Sequence, residues 1–222
     1  MNKYFVIGDV HGCLRTLKAL LDRAQPEPDR VLVFLGDYID RGPDPAGVLE
    51  FLADLERQRP DLVLLRGNHE QLMLEYWQDG DPVLWGLNGA ESTWRSYQAR
   101  YGRLYFPEAH IDLVGRTRLY YDTAEYFFVH GGLRPERSIA WHLENPDPEL
   151  WLWSREHLKV PHEALVWEKP VVFGHTPLPE PLLEERRIGL DTGCVYAAVP
   201  GLGRLTGLYL PERRLVQVPY QG

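Results

Sequence analysis

The sequence predicts an α/β fold, and three features of the 222-residue chain indicate it. Residues 31–35 and 62–65 are short runs of β-branched residues and leucine beside glycine-containing loops, which is typical of buried strands. Amphipathic segments with helical spacing separate such runs, as crossover helices separate parallel strands. Near the carboxyl end, residues 204–209 and 214–218 flank a turn at 211–213, which predicts a hairpin and a second half that is mixed or antiparallel.

The first half of the chain alternates predicted strands and helices. Residues 3–8 form the first predicted strand, and leucines from Leu14 to Leu21 mark one face of the helix that follows. After the strand at 31–35, an apolar stripe from Val48 to Leu55 predicts a second helix, which stops before Pro60 because proline interrupts a helix. The strand at 62–65 then leads into a third predicted helix.

The alternating pattern is lost between about residues 79 and 122. Short aromatic-rich pieces are separated there by glycine-containing turns, which predicts a small helical cap inserted between the two halves of the sheet. Predicted strands resume at 126–129, 171–173 and 187–190. Because no linker-like stretch divides the chain, we expect a single domain over residues 1–222.

Composition limits the classes of protein and partner. With 44% hydrophobic and 25% charged residues, the chain has the composition of an ordinary globular protein. Its net charge of −8 argues against a nucleic-acid binder, and no apolar run reaches the length of a membrane span. The residues before the first motif are too few for a signal peptide, and two cysteines form no disulfide framework. We therefore expect a cytoplasmic protein without a membrane or nucleic-acid partner.

Five predicted strands run into glycine-flanked loops that carry potential metal ligands. Ligands bind outside the carboxyl ends of strands in open α/β sheets, so we expect these loops to meet at one edge. The mixture of carboxylate, imidazole and amide groups suits Mn²⁺, Fe²⁺ or Zn²⁺ and is too rich in nitrogen for Ca²⁺ or Mg²⁺. Six ligands exceed the need of one tetrahedral ion, which predicts two ions that share a carboxylate. The candidate ligands are Asp9, His11, Asp37, Asn68, His130 and His175.

The motifs in these loops resemble those of the phosphoprotein phosphatase branch of the calcineurin-like metallophosphoesterases. They are GDVHG at residues 8–12, GDYIDRG at 36–42, GNHE at 67–70, HGG at 130–132 and GH at 174–175. Chain length and the segments 151–156, 191–193 and 203–205 resemble the small bacterial and phage-type members. Those members are serine/threonine protein phosphatases or diadenosine tetraphosphate hydrolases.

The resemblance implies a four-layer β-sandwich of mixed sheets flanked by helices, with a dinuclear centre on loops at one edge. It places Asp9 and His11 on the first ion and Asp37 as the bridge. Two divalent ions are implied, Mn²⁺ foremost, with Fe, Zn or Ni as alternatives. A hydroxide bridging the two ions would attack the phosphorus atom, since each cation lowers the pKa of bound water. The ligands assigned to the second ion are Asn68, His130 and His175.

Hydrolysis of a phosphate ester also requires charge neutralisation on the phosphoryl group and a proton for the leaving oxygen. Arg41 and Arg66 can each form paired hydrogen bonds to phosphoryl oxygens, and the family supports this role; Arg155 is a third candidate. The alternative for each arginine is a structural ion pair. His69, oriented by Asp40, takes the role of general acid in the family.

The resemblance predicts a phosphoric ester hydrolase, and a protein phosphatase acting on phosphoserine or phosphothreonine is the expected activity. The alternative is a symmetrical bis(5'-nucleosyl)-tetraphosphatase, in which the aromatic residues and arginines of the cap would contact a dinucleoside polyphosphate. The substrate is thus a phosphorylated protein or a dinucleoside polyphosphate. A metal-free binding scaffold of the same fold is a remote third alternative, because scaffolds of this kind have broken ligand positions and all six are intact here.

Several polar residues outside these motifs receive structural roles. Glu70 is expected to cap or brace the start of a helix, and Asp191 to shape a turn rather than bind metal. The cysteines have no basic partner that would make them nucleophiles, so we expect small buried side chains. The residues expected to be structural or on the surface are Cys13, Cys194, His110, His142, His157 and His162.

Overall fold

Two five-stranded mixed sheets pack face to face in the computed structural model, which describes residues 2–222. The strand order is β10-β9-β1-β2-β3 in the first sheet and β4-β5-β6-β8-β7 in the second. The strands are β1 (Tyr4–Ile7), β2 (Val31–Phe34), β3 (Val63–Leu64), β4 (Tyr120–Asp122), β5 (Phe127–Val129), β6 (Val171–Phe173), β7 (Leu182–Leu183), β8 (Arg187–Gly189), β9 (Arg204–Leu210) and β10 (Arg214–Pro219). The helices are α1 (Leu14–Ala24), α2 (Pro45–Gln58), α3 (Asn68–Asp79), α4 (Val83–Leu87), α5 (Glu91–Tyr101), α6 (Glu108–Gly115), α7 (Ile139–Glu144) and α8 (Pro148–Trp153).

The pairing within each sheet is part parallel and part antiparallel. In the first sheet β1, β2 and β3 are parallel, and the antiparallel hairpin β9–β10 pairs with the other edge of β1. In the second sheet β5, β6 and β8 are parallel, and β4 and β7 are antiparallel strands at its two edges. The predicted mixed sheets and the carboxyl-terminal hairpin are therefore confirmed.

Side-chain alternation along the strands creates the four layers. In β1, Tyr4 and Val6 face the second sheet, whereas Phe5 and Ile7 face the helices on the outer side. In β5, Phe128 points between the sheets and Phe127 points to the helices that cover the second sheet. All six side chains are fully buried, so both faces of each sheet are covered. Helices α1 and α2 cover one sheet, and α7 and α8 cover the other.

The segment predicted as a cap contains three helices, α4, α5 and α6, which pack on α2 and α3. Its aromatic residues Trp85, Tyr97 and Phe106 are buried and join the core around α1 and α2, so they serve packing rather than exposure to substrate. Residues 120–122 were assigned to the cap from sequence but form the edge strand β4. That strand is three residues long and half exposed, which is too short a pattern to recognise.

None of the helices among residues 2–222 is long and apolar enough to cross a membrane.

Candidate metal centre

The five predicted ligand loops meet at one edge of the sandwich, where β1, β2, β3, β5 and β6 end. The chain takes left-handed backbone conformations there at non-glycine residues, and each costs on the order of 1–3 kcal/mol. The surrounding hydrogen bonds must offset this cost, because such conformations persist only where the structure imposes them. The residues with positive φ in these loops are His11 (43°), Asp37 (53°), Asp40 (68°), Arg41 (66°) and His175 (64°).

Asp37 lies at the centre of the predicted ligands. Its Oδ2 is 3.4 Å from His11 Nε2, and its Oδ1 is 3.4 Å from His130 Nε2. Ligand atoms of His11, Asp37 and His69 all lie within 4.8 Å of one another, as do those of Asp37, His130 and His175. The two groups share only Asp37, which is the arrangement that a bridging carboxylate requires.

Asn68 and Asp9 complete the cluster. Asn68 Oδ1 is 2.9 Å from His130 Nε2 and 2.8 Å from His175 Nδ1, which places the amide oxygen in the second group. Asp9 accepts a hydrogen bond from the backbone N–H of His175 at 2.8 Å, and its Oδ1 is buried without a partner. The structure thus brings together all six residues that the sequence predicted as ligands, with His69 beside them.

Two histidines are held so that Nε2 faces the cluster. His11 donates Nδ1–H to the Ile39 carbonyl at 2.8 Å, and His130 donates Nδ1–H to the Leu35 carbonyl at 2.7 Å. A neutral imidazole that donates through Nδ1 presents a lone pair at Nε2, which is the form that binds a metal. Burial lowers the pKa of His11 to about 3 and favours this neutral form.

The electrostatics of the cluster fit bound cations. His130 Nε2 faces two oxygen acceptors, those of Asn68 and Asp37, so a positive charge between these three atoms would be stabilised. Burial disfavours protonation of His130, but Asp37 overcomes it and raises the pKa of His130 above its ordinary value. Burial, Asp191 and Asp37 raise the pKa of Asp9, as expected where buried carboxylates repel one another without a counter-charge. Unpartnered buried atoms at Asp9 Oδ1 and His175 Nε2 supply free ligand positions.

Glu70 fixes the loop that carries the central aspartate. Its Oε2 accepts hydrogen bonds from the backbone N–H groups of Asp37 at 2.8 Å and Gly67 at 2.9 Å. Its Oε1 accepts from Tyr38 at 2.8 Å and Ile39 at 3.3 Å. The bond to Gly67 closes the first turn of α3, which confirms the predicted bracing role. Sequence reasoning missed the larger function, which is to join two ligand loops through one carboxylate.

His69 and Asp40 form a buried pair beside the cluster. His69 Nδ1 is 2.6 Å from Asp40 Oδ2, and both side chains are fully buried. His69 Nε2 has no hydrogen-bond partner and lies 4.0 Å from Asp37 Oδ2. The free ring nitrogen therefore points toward the cluster of predicted ligands.

The three predicted arginines differ in position. Arg41 donates from Nη1 to His11 Nε2 at 2.8 Å, so it contacts a predicted metal ligand directly. Arg155 donates from Nε to Thr176 at 3.2 Å, next to the candidate ligand His175. Arg66 instead donates to Gln71 at 3.1 Å, and to Gly115 and Thr117 at the end of the last cap helix at 3.2–3.3 Å. Sequence could not reveal these acceptors, because they come from a distant turn.

Tyr196 is a site residue that sequence reasoning did not find. Its ring lies 5.9 Å from the Arg41 guanidinium, and burial raises the pKa of its hydroxyl above the ordinary value while the charge of Arg41 opposes the rise. It belongs to an irregular loop after Gly193, where no strand or helix pattern indicates the direction of a side chain.

The residues given structural roles from sequence have them. Asp191 accepts from Gly193 N–H at 2.8 Å and shapes the turn. His110 is hydrogen-bonded to Tyr97 at 2.8 Å, and His142 accepts from Arg134 N–H at 3.1 Å. His162 is partly exposed and lies 3.3 Å from a carboxylate oxygen of Glu163, and His157 is fully buried in the core. Cys13 and Cys194 are buried free thiols. A hydrogen bond with Cys13, together with burial, raises the pKa of the Cys194 thiol, so it is no nucleophile at neutral pH.

Fold and site together define a class: a two-sheet α/β protein with a buried cluster of Asp, His and Asn side chains that could hold metal ions. The chain belongs to the calcineurin-like phosphoesterase family, whose profile matches residues 3–198. Members of that family depend on a dinuclear metal centre.

Curated relatives and solved structures agree with this assignment. The bis(5'-nucleosyl)-tetraphosphatase PrpE [asymmetrical] of Bacillus cereus (strain AH187) is 27% identical over 246 residues, covering 98% of this chain and 94% of the relative. A crystal structure of a putative diadenosine tetraphosphatase superposes with a TM-score of 0.71 at 22% identity, covering 100% of this chain and 95% of the other. A protein serine/threonine phosphatase from Saccharomyces cerevisiae gives 0.65 at 16% identity, covering 100% and 80%. These two structures show the shared fold, and the family shows that the chain is a phosphoesterase.

Proposed function

We propose that the protein removes phosphate from phosphoserine and phosphothreonine in proteins, with two divalent ions as cofactors. The observation that carries the proposal is the His69–Asp40 pair, buried beside the cluster with His69 Nε2 free. A serine or threonine alkoxide is a poor leaving group and needs a proton as it departs. A nucleotide released from an anhydride needs this help far less. A fully buried acid–carboxylate pair at the site therefore favours an alkyl ester as the substrate.

Six residues would hold the ions, one group on each side of Asp37. When bound, the two ions would supply a water of lowered pKa and neutralise charge on the phosphoryl oxygens. Mn²⁺ suits the mixed oxygen and nitrogen donors, as Fe²⁺ and Zn²⁺ do. The proposed ligands are Asp9, His11, Asp37, Asn68, His130 and His175.

The chain's own side chains would do the remaining work. Arg41, already within hydrogen-bond reach of the metal group, would orient the phosphoryl oxygens. His69, protonated on both ring nitrogens, would pass its Nε2 proton to the leaving oxygen as the P–O ester bond breaks, which leaves the neutral Nδ1–H form. The oxygen of a hydroxide, formed from water that has released its proton to solvent, would bond to phosphorus. Asp40 would keep the Nδ1–H tautomer of His69 in place. Arg155 would assist from the side of Thr176, and Arg66 would contribute mainly by joining α3 to the turn at 115–117.

A second candidate is hydrolysis of dinucleoside tetraphosphates, which the names of the curated relatives favour. Those relatives are named for asymmetrical cleavage, whereas the alternative predicted from sequence was symmetrical. Asymmetrical cleavage of diadenosine tetraphosphate gives ATP and AMP, and symmetrical cleavage gives two ADP. Product analysis therefore separates the two modes.

Rates on a phosphoserine peptide and on diadenosine tetraphosphate at equal concentration test the proposal. We expect the larger kcat/KM for the phosphopeptide. A value at least tenfold larger for diadenosine tetraphosphate would replace the proposal with the second candidate.

The two buried cysteines carry free thiols, and we propose the cytoplasm as the reducing compartment that suits them.

A further inference from the structure

Two residues of the cap helices hold the carboxylate of Asp40. Trp85 on α4 donates its indole N–H to Asp40 Oδ2 at 2.8 Å. Thr93 on α5 donates its hydroxyl to Asp40 Oδ1 at 2.5 Å. The same Thr93 oxygen accepts the backbone N–H of Asp40 at 3.0 Å. The cap is thus bonded to both carboxylate oxygens and to the backbone of one residue in the site.

These contacts lie in the interior of the protein. Asp40, His69 and Thr93 are fully buried, and Trp85 is 1% exposed. Asp40 also has a left-handed backbone at φ 68°, a conformation that costs free energy unless neighbours impose it. Oδ2 of Asp40 accepts from His69 and Trp85, and Oδ1 accepts from Thr93. Rotation of the carboxylate away from this plane would break at least one of these three hydrogen bonds.

We propose that Trp85 and Thr93 are positioning residues that fix the Asp40 carboxylate and, through it, the ring orientation and tautomer of His69. This inference rests on the proposed role of His69 as proton donor to the leaving group. Without the Thr93 hydroxyl, Oδ1 loses its donor, and the carboxylate can rotate to share the bonds now made at Oδ2. The His69 ring would then lose the fixed hydrogen bond that aims Nε2 at the cluster. The cap would therefore affect catalysis indirectly, by holding Asp40 and through it His69, without contacting the substrate.

Neighbouring Trp94 supplies a matched comparison for Trp85. Both indoles lie in the cap, with ring centroids 5.8 Å apart. The buried Trp94 indole N–H has no acceptor, whereas that of Trp85 bonds to Asp40. A change to phenylalanine therefore removes a hydrogen bond to the pair at one position and removes only ring area at the other.

The test compares Trp85→Phe and Thr93→Val with Trp94→Phe and Thr93→Ser in the metal-loaded enzyme. Substrates are p-nitrophenyl phosphate, which has a good leaving group, and phenyl phosphate, whose leaving group has a pKa of about 10, like that of tyrosine. We expect Trp85→Phe and Thr93→Val to lose roughly tenfold more kcat on phenyl phosphate than on p-nitrophenyl phosphate, a part of the effect of a general acid. Thr93→Ser keeps the hydroxyl and should retain most of the wild-type kcat on phenyl phosphate. Trp94→Phe should lower kcat on the two substrates by the same factor.

A second readout needs neither metal nor substrate. In the metal-stripped protein, the His69 Nδ1–H proton should give a downfield, slowly exchanging NMR signal, because that hydrogen is buried in the bond to Asp40. We expect faster exchange in Trp85→Phe and Thr93→Val but not in Trp94→Phe. Equal losses on both esters, together with an unchanged His69 signal, would overturn the positioning role. A wild-type enzyme inactive on every ester would refute the proposed function, and the NMR comparison would still decide whether the cap orders His69.

Discussion

Glu70→Gln should be the most destabilising single-atom change in the site. The carboxylate accepts four buried backbone N–H groups, from Asp37, Tyr38, Ile39 and Gly67. Glutamine replaces one oxygen with an NH₂ group, so two of the four amides would face a donor instead of an acceptor. A buried amide without its acceptor costs about 1–3 kcal/mol, which gives a loss of about 4 kcal/mol in the free energy of unfolding. That is a large part of the roughly 5–15 kcal/mol typical of a folded domain.

Urea unfolding of the metal-stripped protein at pH 8 measures this change. That pH is chosen because burial and the nearby Asp37 raise the pKa of Glu70 to about 7, so the carboxylate is ionised at pH 8. Glu75→Gln is the control, since Glu75 lies on the same helix and, among residues 2–222, accepts one hydrogen bond, from Gln71 at 3.0 Å. We expect the control to change stability by less than about 0.5 kcal/mol. If Glu70→Gln fell within the same limit with an unchanged m value, Glu70 would not hold the two loops together.

Four further substitutions probe the cluster and the core. Asp9→Asn or His130→Ala should abolish turnover by loss of metal, which elemental analysis would register as ions missing from the purified protein. Arg41→Lys should keep both ions and lower kcat/KM about 100-fold, since one ammonium cannot replace a paired guanidinium contact; a smaller effect than fivefold would remove Arg41 from the phosphate site. Burial lowers the pKa of His157 to about 3, so between pH 6.5 and 3 the unfolded chain binds a proton that the folded protein does not. Wild-type stability should therefore fall by up to about 1.4 kcal/mol per pH unit on acidification, and His157→Phe should show a shallower fall in urea midpoints at pH 4.5 and 7.

The order of strands and ligand loops was predictable because each carries its own local signal. Asp37 follows a run of apolar residues and a glycine, and parallel strands bring their carboxyl ends to one edge whatever the rest of the chain does. Asn68 and His130 obey the same rule. The predicted ligands do lie together at one edge. They come from two separate sheets that pack face to face, so packing of the sheets as well as strand order brings them together.

Contacts between distant segments could not be predicted. Trp85 and Thr93 lie in a stretch without a clear period, and nothing in it indicates that an indole and a hydroxyl would reach Asp40. The local sequence of Arg66 likewise does not indicate its hydrogen bond to the carbonyl of Gly115, because that carbonyl lies 49 residues away along the chain. Strand β4 was placed in the cap, because three half-exposed residues pair with β5 only once the sheet exists.

Hydrolysis of p-nitrophenyl phosphate by metal-stripped protein, with Mn²⁺, Ni²⁺, Zn²⁺ or Mg²⁺ returned separately, tests most directly whether the cluster around Asp37 is a catalytic two-metal centre. We expect no turnover without metal, and turnover restored by at least one ion, Mn²⁺ foremost, rising until two ions are bound per chain. Two bound ions with no hydrolysis of this ester, of a phosphoserine peptide or of diadenosine tetraphosphate would contradict a catalytic role for the centre.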